Sequence, residues 1–241
     1  MRWSFLSGVL LLAALAVPTA QGRLMAGKEC EGEQHLGDST IAYAAAANGR
    51  VDALSAPGGT PVQSFTRKNQ NGLRTVFGVL ATVTGGDCEP LWYRVQLPIR
   101  PNGVTGYVRA DAVTVYSVRS RIEIDLSSRR LSFYRRGKLV LTTTAGIGAP
   151  GTPTPTGRYY VNQRFRTTDA NGPFGPGAIG ISAFSPTLTD WVQGGPIAVH
   201  GTNDPSSIGR LASHGCVRIE NRVLRRLLYA TATGAPVDIH T

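Results

Sequence analysis

A chain of 241 residues suits one large or two small domains, and 41% hydrophobic residues are enough to bury a core. The 29 glycines, 15 prolines and short apolar runs exclude a helix bundle and favour many short strands joined by tight turns, with no internal repeat or coiled-coil pattern. A formal charge of +10, from 25 basic and 15 acidic residues, suits anionic surfaces such as cell-wall polymers, or serves solubility alone; no basic stripe interleaved with aromatics marks a nucleic-acid binder.

Residues 1–22 read as an export signal. Met1-Arg2 is a positive start, Phe5 to Val17 is almost wholly apolar, and cleavage after Gly22 leaves Ala20 and Gly22 at the small-residue positions. The run is short for a membrane span, which leaves an uncleaved anchor as the alternative. The expected location is therefore the periplasm or the cell wall. Residues 23–39 are polar and mixed in charge, read as a linker carrying a solvated His35.

Residues 40–118 read as short strands. Ile41-Ala42-Tyr43 opens, Pro57 to Pro61 turns, and Val62 to Phe65 alternates. Thr75 to Leu80 and Leu91 to Leu97 are stronger strands, and Gly106 to Val113 closes the region. The Trp92-Tyr93-x-Val95 strand, a turn, and then Gly106-Tyr107-Val108 resemble the bacterial SH3-like module, a small barrel found beside cell-wall enzymes. The resemblance implies a targeting or positioning domain; a β-barrel spacer without a ligand fits as well.

Residues 119–241 form the second unit. Arg121 to Leu126, Leu131 to Tyr134 and Leu139 to Ala145 read as strands separated by turns. Gly146 to Gly157 contains Pro150, Pro153 and Pro155, which forbid helix and central strand, so it is a loop of specified path. Lacking a Lys-Ser/Thr pair after its glycines, it is no phosphate-binding loop. Residues 166–180 are again Gly/Pro-rich and read as a flap over a cleft. Asn221 to Ala230 is the one convincing helix, with Asn221 as its cap. Gly234 to His240 is a last strand, with His240 solvated.

The chemistry concentrates in residues 196–221. A buried strand, Pro196 to Val199, ends at His200, and a polar loop leads to Ser213-His214-Gly215-Cys216-Val217-Arg218. A thiol is only slightly ionised at neutral pH, so a nucleophilic cysteine needs a base. His214 flanks Cys216, whereas His200 arrives from another strand end and is the better base because the fold sets its position. The Gly201 carbonyl is placed to orient its ring. Gly215 opens room for backbone N–H groups of Gly215 and Cys216 to face an oxyanion, with His214 beside them. Arg218 and Ser213 are candidate substrate contacts, Arg218 for a carboxylate. Each residue alone has a duller reading: an inert buried thiol, a structural histidine, a surface charge. A zinc site built from His200, His214 and Cys216 is the rival chemistry, disfavoured because no short ligand pair stands here; no metal or cofactor is expected. Outside the cytoplasm cysteines tend to pair, and a Cys30–Cys88 disulfide leaves Cys216 as the odd thiol. The sequence does not fix that pairing, which would contribute about 4 kcal/mol through loop closure.

Residues 200–219, from His200 through the Ser213-His214-Gly215-Cys216 core to Ile219, resemble the signature of the L,D-transpeptidase (YkuD) catalytic domain. The Gly-Thr-Pro-Thr-Pro-Thr-Gly run at 151–157 is similar to that family's segment ahead of the catalytic region. The resemblance spans residues 119–241 and implies a mostly β sandwich with the cysteine at the base of a cleft under a flap. It implies peptidoglycan stem tetrapeptides as substrate, Cys216 as nucleophile expelling the terminal D-alanine, and a 3→3 cross-link as product. It implies His200 as base oriented by Gly201, an oxyanion hole from His214, Gly215 and Cys216, and Arg218 on substrate. The rivals are an L,D-carboxypeptidase, a non-catalytic cell-wall-binding protein and a zinc amidase.

Overall fold

The structure, a computed structural model, describes Met1 and residues 30–241; the export-signal expectation falls on residues outside those described. The chain is mostly β, as its composition predicts, and forms two eight-stranded sheets and one two-stranded pair. Among the described residues no helix is long and apolar enough to cross a membrane.

The first sheet holds β1 (Gly32–His35), β2 (Ala42–Ala47), β3 (Val51–Leu54), β4 (Pro61–Phe65), β5 (Val76–Thr84), β6 (Pro90–Gln96), β7 (Thr105–Arg109) and β8 (Val113–Val118). Its order is β4-β3-β7-β6-β5-β2-β8. Along one edge of β5, β2 pairs with Val76 to Val79 and β1 with Ala81 to Thr84. The presence of β1 corrects the linker reading of residues 23–39: Gly32 to His35 belong to the sheet, and the Cys30–Cys88 disulfide, with Cα atoms 5.4 Å apart, holds the chain beside them.

The second sheet holds β9 (Ser120–Asp125), β10 (Arg130–Arg135), β11 (Lys138–Thr144), β13 (Gly157–Arg166), β14 (Gly177–Phe184), β15 (Pro196–His200), β17 (Val217–Arg218) and β18 (Pro236–His240). The order is β11-β10-β9-β18-β13-β14-β15-β17, with β9–β18 and β15–β17 parallel. The short β12 (Ile147–Gly148) and β16 (Leu211–Ser213) pair in parallel apart from it. His240 lies on β18 with Nε2 3.2 Å from Glu123 Oε1 of β9, which corrects its reading as merely solvated. The flap region is also shorter than expected. Residues from Gly177 onward are the buried strand β14, whose Gly177 and Gly180 mask its strand character in the sequence.

Helix α1 (Asn221–Ala230) buries Leu224, Leu227 and Leu228, the i, i+3, i+4 stripe of one helix face. Its N-cap is Glu220, which makes no side-chain capping bond, so Asn221 is not the cap; its side chain serves the active-site loop instead.

Period-two alternation divides the strands of the first sheet between two cores. On β2, Ala45 and Ala47 join the small core inside the first sheet, with Phe77, Val79 and Val113. Ala44 and Ala46 face the other way, into the large core of the second sheet, together with Val76 and Val118. A run of four alanines is a poor strand by propensity. It works here because both faces are buried and small side chains let the two sheets approach. Gly78 completes the joint: a Cβ there would lie 2.9 Å from the ring of Tyr160 on β13, a fully buried side chain. Gln96 Nε2 donates to Arg158 O at 2.8 Å across the same seam.

Candidate active site

The site forms where the second sheet ends in two parallel strands. β14 pairs with β15, and β15 with β17, setting Val199 beside Val217 and His200 beside Arg218. Cys216 immediately precedes β17. It is the free cysteine and is half-buried. Its thiol donates to Pro196 O at 3.9 Å, at the start of β15. Burial pushes the Cys216 thiol up from its ordinary range, opposed by the Ala198 N–H and by the positive charge of Arg218.

His200 ends β15 and is 4% exposed. Its Nδ1 lies 2.5 Å from Gly201 O. A carbonyl only accepts, so Nδ1 carries the proton and Nε2 is left as the acceptor. Burial pulls the imidazole down to about 4, against the Gly201 bond and with help from Arg218. The resting pair is therefore neutral thiol and neutral imidazole near pH 7. Phe174, at the end of the 167–176 loop, sets its ring edge-on to His200 with centroids 4.8 Å apart, and its carbonyl accepts the Gly201 N–H at 3.1 Å.

Asn221 secures the other side of the loop. Its Oδ1 accepts the Thr202 N–H at 2.8 Å and its Nδ2 donates to Thr202 O at 3.0 Å, so one carboxamide clamps the residue after Gly201. Gly201 has no room for a side chain against that carboxamide. Sequence reasoning missed this role, although an Asn opening a helix just after the Cys-Val-Arg segment was its visible trace.

The nucleophile loop is tied internally. Ser213 is 2% exposed, donates to Cys216 O at 2.6 Å and accepts the Gly215 N–H at 3.1 Å. The Ser213 hydroxyl, expected on substrate, is thus used inside the loop, and the Gly215 N–H, expected at the oxyanion, is bonded to it. Gly215 itself sits at φ +110°, with Ile197 Cδ1 2.9 Å from where a Cβ would stand, so both backbone and space require glycine. Beneath the loop, Thr154 is buried between its two prolines. Its Oγ1 accepts the Gly148 N–H and donates to Gly215 O, both at 2.9 Å. Thr152 Oγ1 donates to Ser213 O at 3.0 Å. The Pro/Gly loop is thus the floor on which the cysteine loop rests.

His214 is exposed and lies against Trp191, ring centroids 5.1 Å apart and planes tilted by 48°. Trp191 belongs to the loop between β14 and β15, which sequence reasoning left without a role. Arg100 and Asn102, in the turn between β6 and β7, grip this loop: Arg100 Nη2 donates to Ser185 O at 2.7 Å and to Gly194 O at 2.6 Å, and Asn102 bonds both Phe184 N and O at 2.9 Å. Arg218 is half-buried, and its Nε is buried without a hydrogen-bond partner. Its charge acts on both Cys216 and His200. Among the described residues no group of three His, Cys, Asp or Glu side chains is arranged to hold a metal ion, so His200, His214 and Cys216 do not converge as ligands.

The chain was compared with known proteins. It is 35% identical over 119 residues to YkuD of Bacillus licheniformis, covering 49% of this chain and 64% of that protein. It is 30% identical over 125 residues to YkuD of Bacillus subtilis, covering 52% and 68%. Among solved structures, a mutant form of the Enterococcus faecium L,D-transpeptidase aligns with 25% identity over 50% of this chain and 49% of that one, TM-score 0.38. The L,D-transpeptidase from Mycobacterium smegmatis aligns with 15% identity over 70% and 91%, TM-score 0.43. The matches thus span less than two thirds of several of these relatives. Residues 119–239, which include His200, Gly201, Ser213 to Cys216, Arg218 and Asn221, match the L,D-transpeptidase catalytic domain, and the chain belongs to that YkuD family.

Proposed function

We propose that this protein is an exported cysteine acyltransferase that forms 3→3 cross-links between peptidoglycan stem peptides. One observation carries the reading: the free thiol of Cys216 opens the strand that runs parallel to β15, and β15 ends in a buried, neutral His200 held by the Gly201 carbonyl. With Nδ1 occupied, Nε2 takes the thiol proton as Sγ attacks the carbonyl of the third residue of a stem tetrapeptide. The Cys216 N–H and His214 stand by the oxyanion, since the Gly215 N–H is already bonded. Breaking the C–N bond releases D-alanine, whose nitrogen takes the proton from His200 and leaves a thioester. A side-chain amine of a second stem attacks the thioester. His200 accepts the amine proton, the new amide forms, and the Cys216 sulfur leaves and is reprotonated. Arg218, with its buried unpartnered Nε, is suited to a substrate carboxylate.

The first sheet acts as an SH3-like positioning module, with its boundary moved to include β1. The Cys30–Cys88 disulfide supports export to an oxidising compartment. Mass spectrometry after incubation with a carbapenem tests the thiol chemistry. The expected result is one adduct on Cys216, absent in Cys216→Ala, with cross-linked dimers formed from tetrapeptides. A folded protein that stays unmodified overturns the cysteine mechanism. Tripeptides without dimers would make it a carboxypeptidase.

A further inference from the structure

Between the two sheets lies a cleft of about 410 Å³ whose lining includes none of Cys216, His200, His214 and Arg218. Seven side-chain carboxamides line it against a single charged side chain, Lys68. They are already organised. Gln193 Nε2 donates to Asn71 Oδ1 at 2.9 Å, and both Asn71 and Asn69 donate to Gln163 Oε1 at 3.0 Å, so a ladder of amides joins the turn before β5 to strand β13. Beside the ladder, Asn162 Oδ1 is buried without a partner. Phe65 and Ile99 supply an apolar wall, and Pro196 closes the far end. Pro196 thus lines the cleft and, through its carbonyl, accepts the Cys216 thiol.

We propose that this cleft binds an uncharged N-acetylated saccharide, the glycan strand that bears the stem peptides. The assignment rests on the peptidoglycan reading above and adds to it a site for the polymer rather than for the reacting peptide. Side-chain amides both donate and accept, which matches hydroxyls and acetamido groups that do the same. The carboxylates of a stem peptide call for cations, and Lys68 is the one cationic side chain in the lining, while the guanidinium of Arg100 is spent on the carbonyls of Ser185 and Gly194. Holding the glycan here would set a stem peptide in register with Cys216 and make the first sheet part of substrate recognition.

The test is calorimetric titration of the full chain carrying Cys216→Ala with the hexamer of N-acetylglucosamine, which has no peptide. Saturable binding is expected, weakened at least tenfold by Gln163→Ala. It should also weaken at least threefold in Gln63→Ala/Gln70→Ala, a double change at exposed rim positions that leaves the interior untouched. No saturable binding, or binding that both variants leave unaltered, overturns the assignment. So does a result in which a free stem tetrapeptide, and not the hexamer, binds in a manner sensitive to Gln163→Ala. A wild-type protein that a carbapenem acylates but that ignores the hexamer would sink this site and leave the proposed chemistry standing. Hexamer binding beside an unreactive Cys216 would do the reverse.

Discussion

At the level of single residues, the site is an electrostatic arrangement around one guanidinium. Arg218 depresses the titration of His200 and of Cys216 alike, while burial moves the two in opposite directions. Arg218→Gln should therefore raise the His200 midpoint above about 4 in a histidine NMR titration and slow alkylation of Cys216 at a fixed neutral pH. An unchanged His200 midpoint would mean that the guanidinium points elsewhere. His200 also ties stability to pH. An unfolded histidine takes up a proton near 6.5, whereas the buried ring resists until about 4. Below 6.5 the unfolded state binds the extra proton, so stability falls as pH drops from 6.5 towards 4 and this contribution is level outside that window. The loss is about 3 kcal/mol at most and is read from urea midpoints across that range. In His200→Gln the slope assigned to this group should vanish.

At the level of elements, the nucleophile is held by loops that borrow rigidity from one another. The 151–157 loop has three constraints on its path: Pro153, Pro155 and the two hydrogen bonds of Thr154. Thr154→Val keeps the shape and removes the hydroxyl, leaving Gly148 N–H and Gly215 O unpaired in a buried place. The expected loss is about 1–3 kcal/mol, with a lower kcat because the cysteine loop loses its floor. A variant with wild-type thermal stability and turnover would show that the floor is redundant. The loop was legible in the sequence as a proline-directed path, but the hydroxyl's partners were not, since Gly148 and Gly215 lie on either side of it in sequence. The bonds of Ser213 were hidden for a related reason. A serine beside a nucleophile looks like a substrate contact until its 2.6 Å bond to Cys216 O is known.

Across the whole molecule, the two sheets are joined along β2, β5 and β8, whose faces are shared between two cores. Gly78 is one point of close approach, against the buried ring of Tyr160. Gly78→Ala should overpack this seam and lower stability by about 1–3 kcal/mol, measured by denaturant unfolding. A neutral outcome would mean that the seam opens easily and that the sheets dock loosely. The same docking reaches the chemistry. Arg100 and Asn102, in the turn between β6 and β7, hold the ends of the loop that carries Trp191 against His214, so the mouth of the site is built by both halves of the chain.

Composition and period-two patterning were enough for a mostly β chain, its helix at 221–230 and most of its strands. The Ser213-His214-Gly215-Cys216 core and its distance from His200 were enough for the family. These features are local, and local chemistry is what a linear pattern records. Strand β14 escaped notice because its glycines imitate a loop, and β1 because a glycine and three exposed polar residues show no apolar alternation. The partners of Asn221, Thr154 and Ser213, the shared alanine strand and the amide-lined cleft depend on segments brought together from far apart in the chain. Only packing decides which hydroxyl is spent internally, which guanidinium lacks a partner, and which face of a strand meets which core.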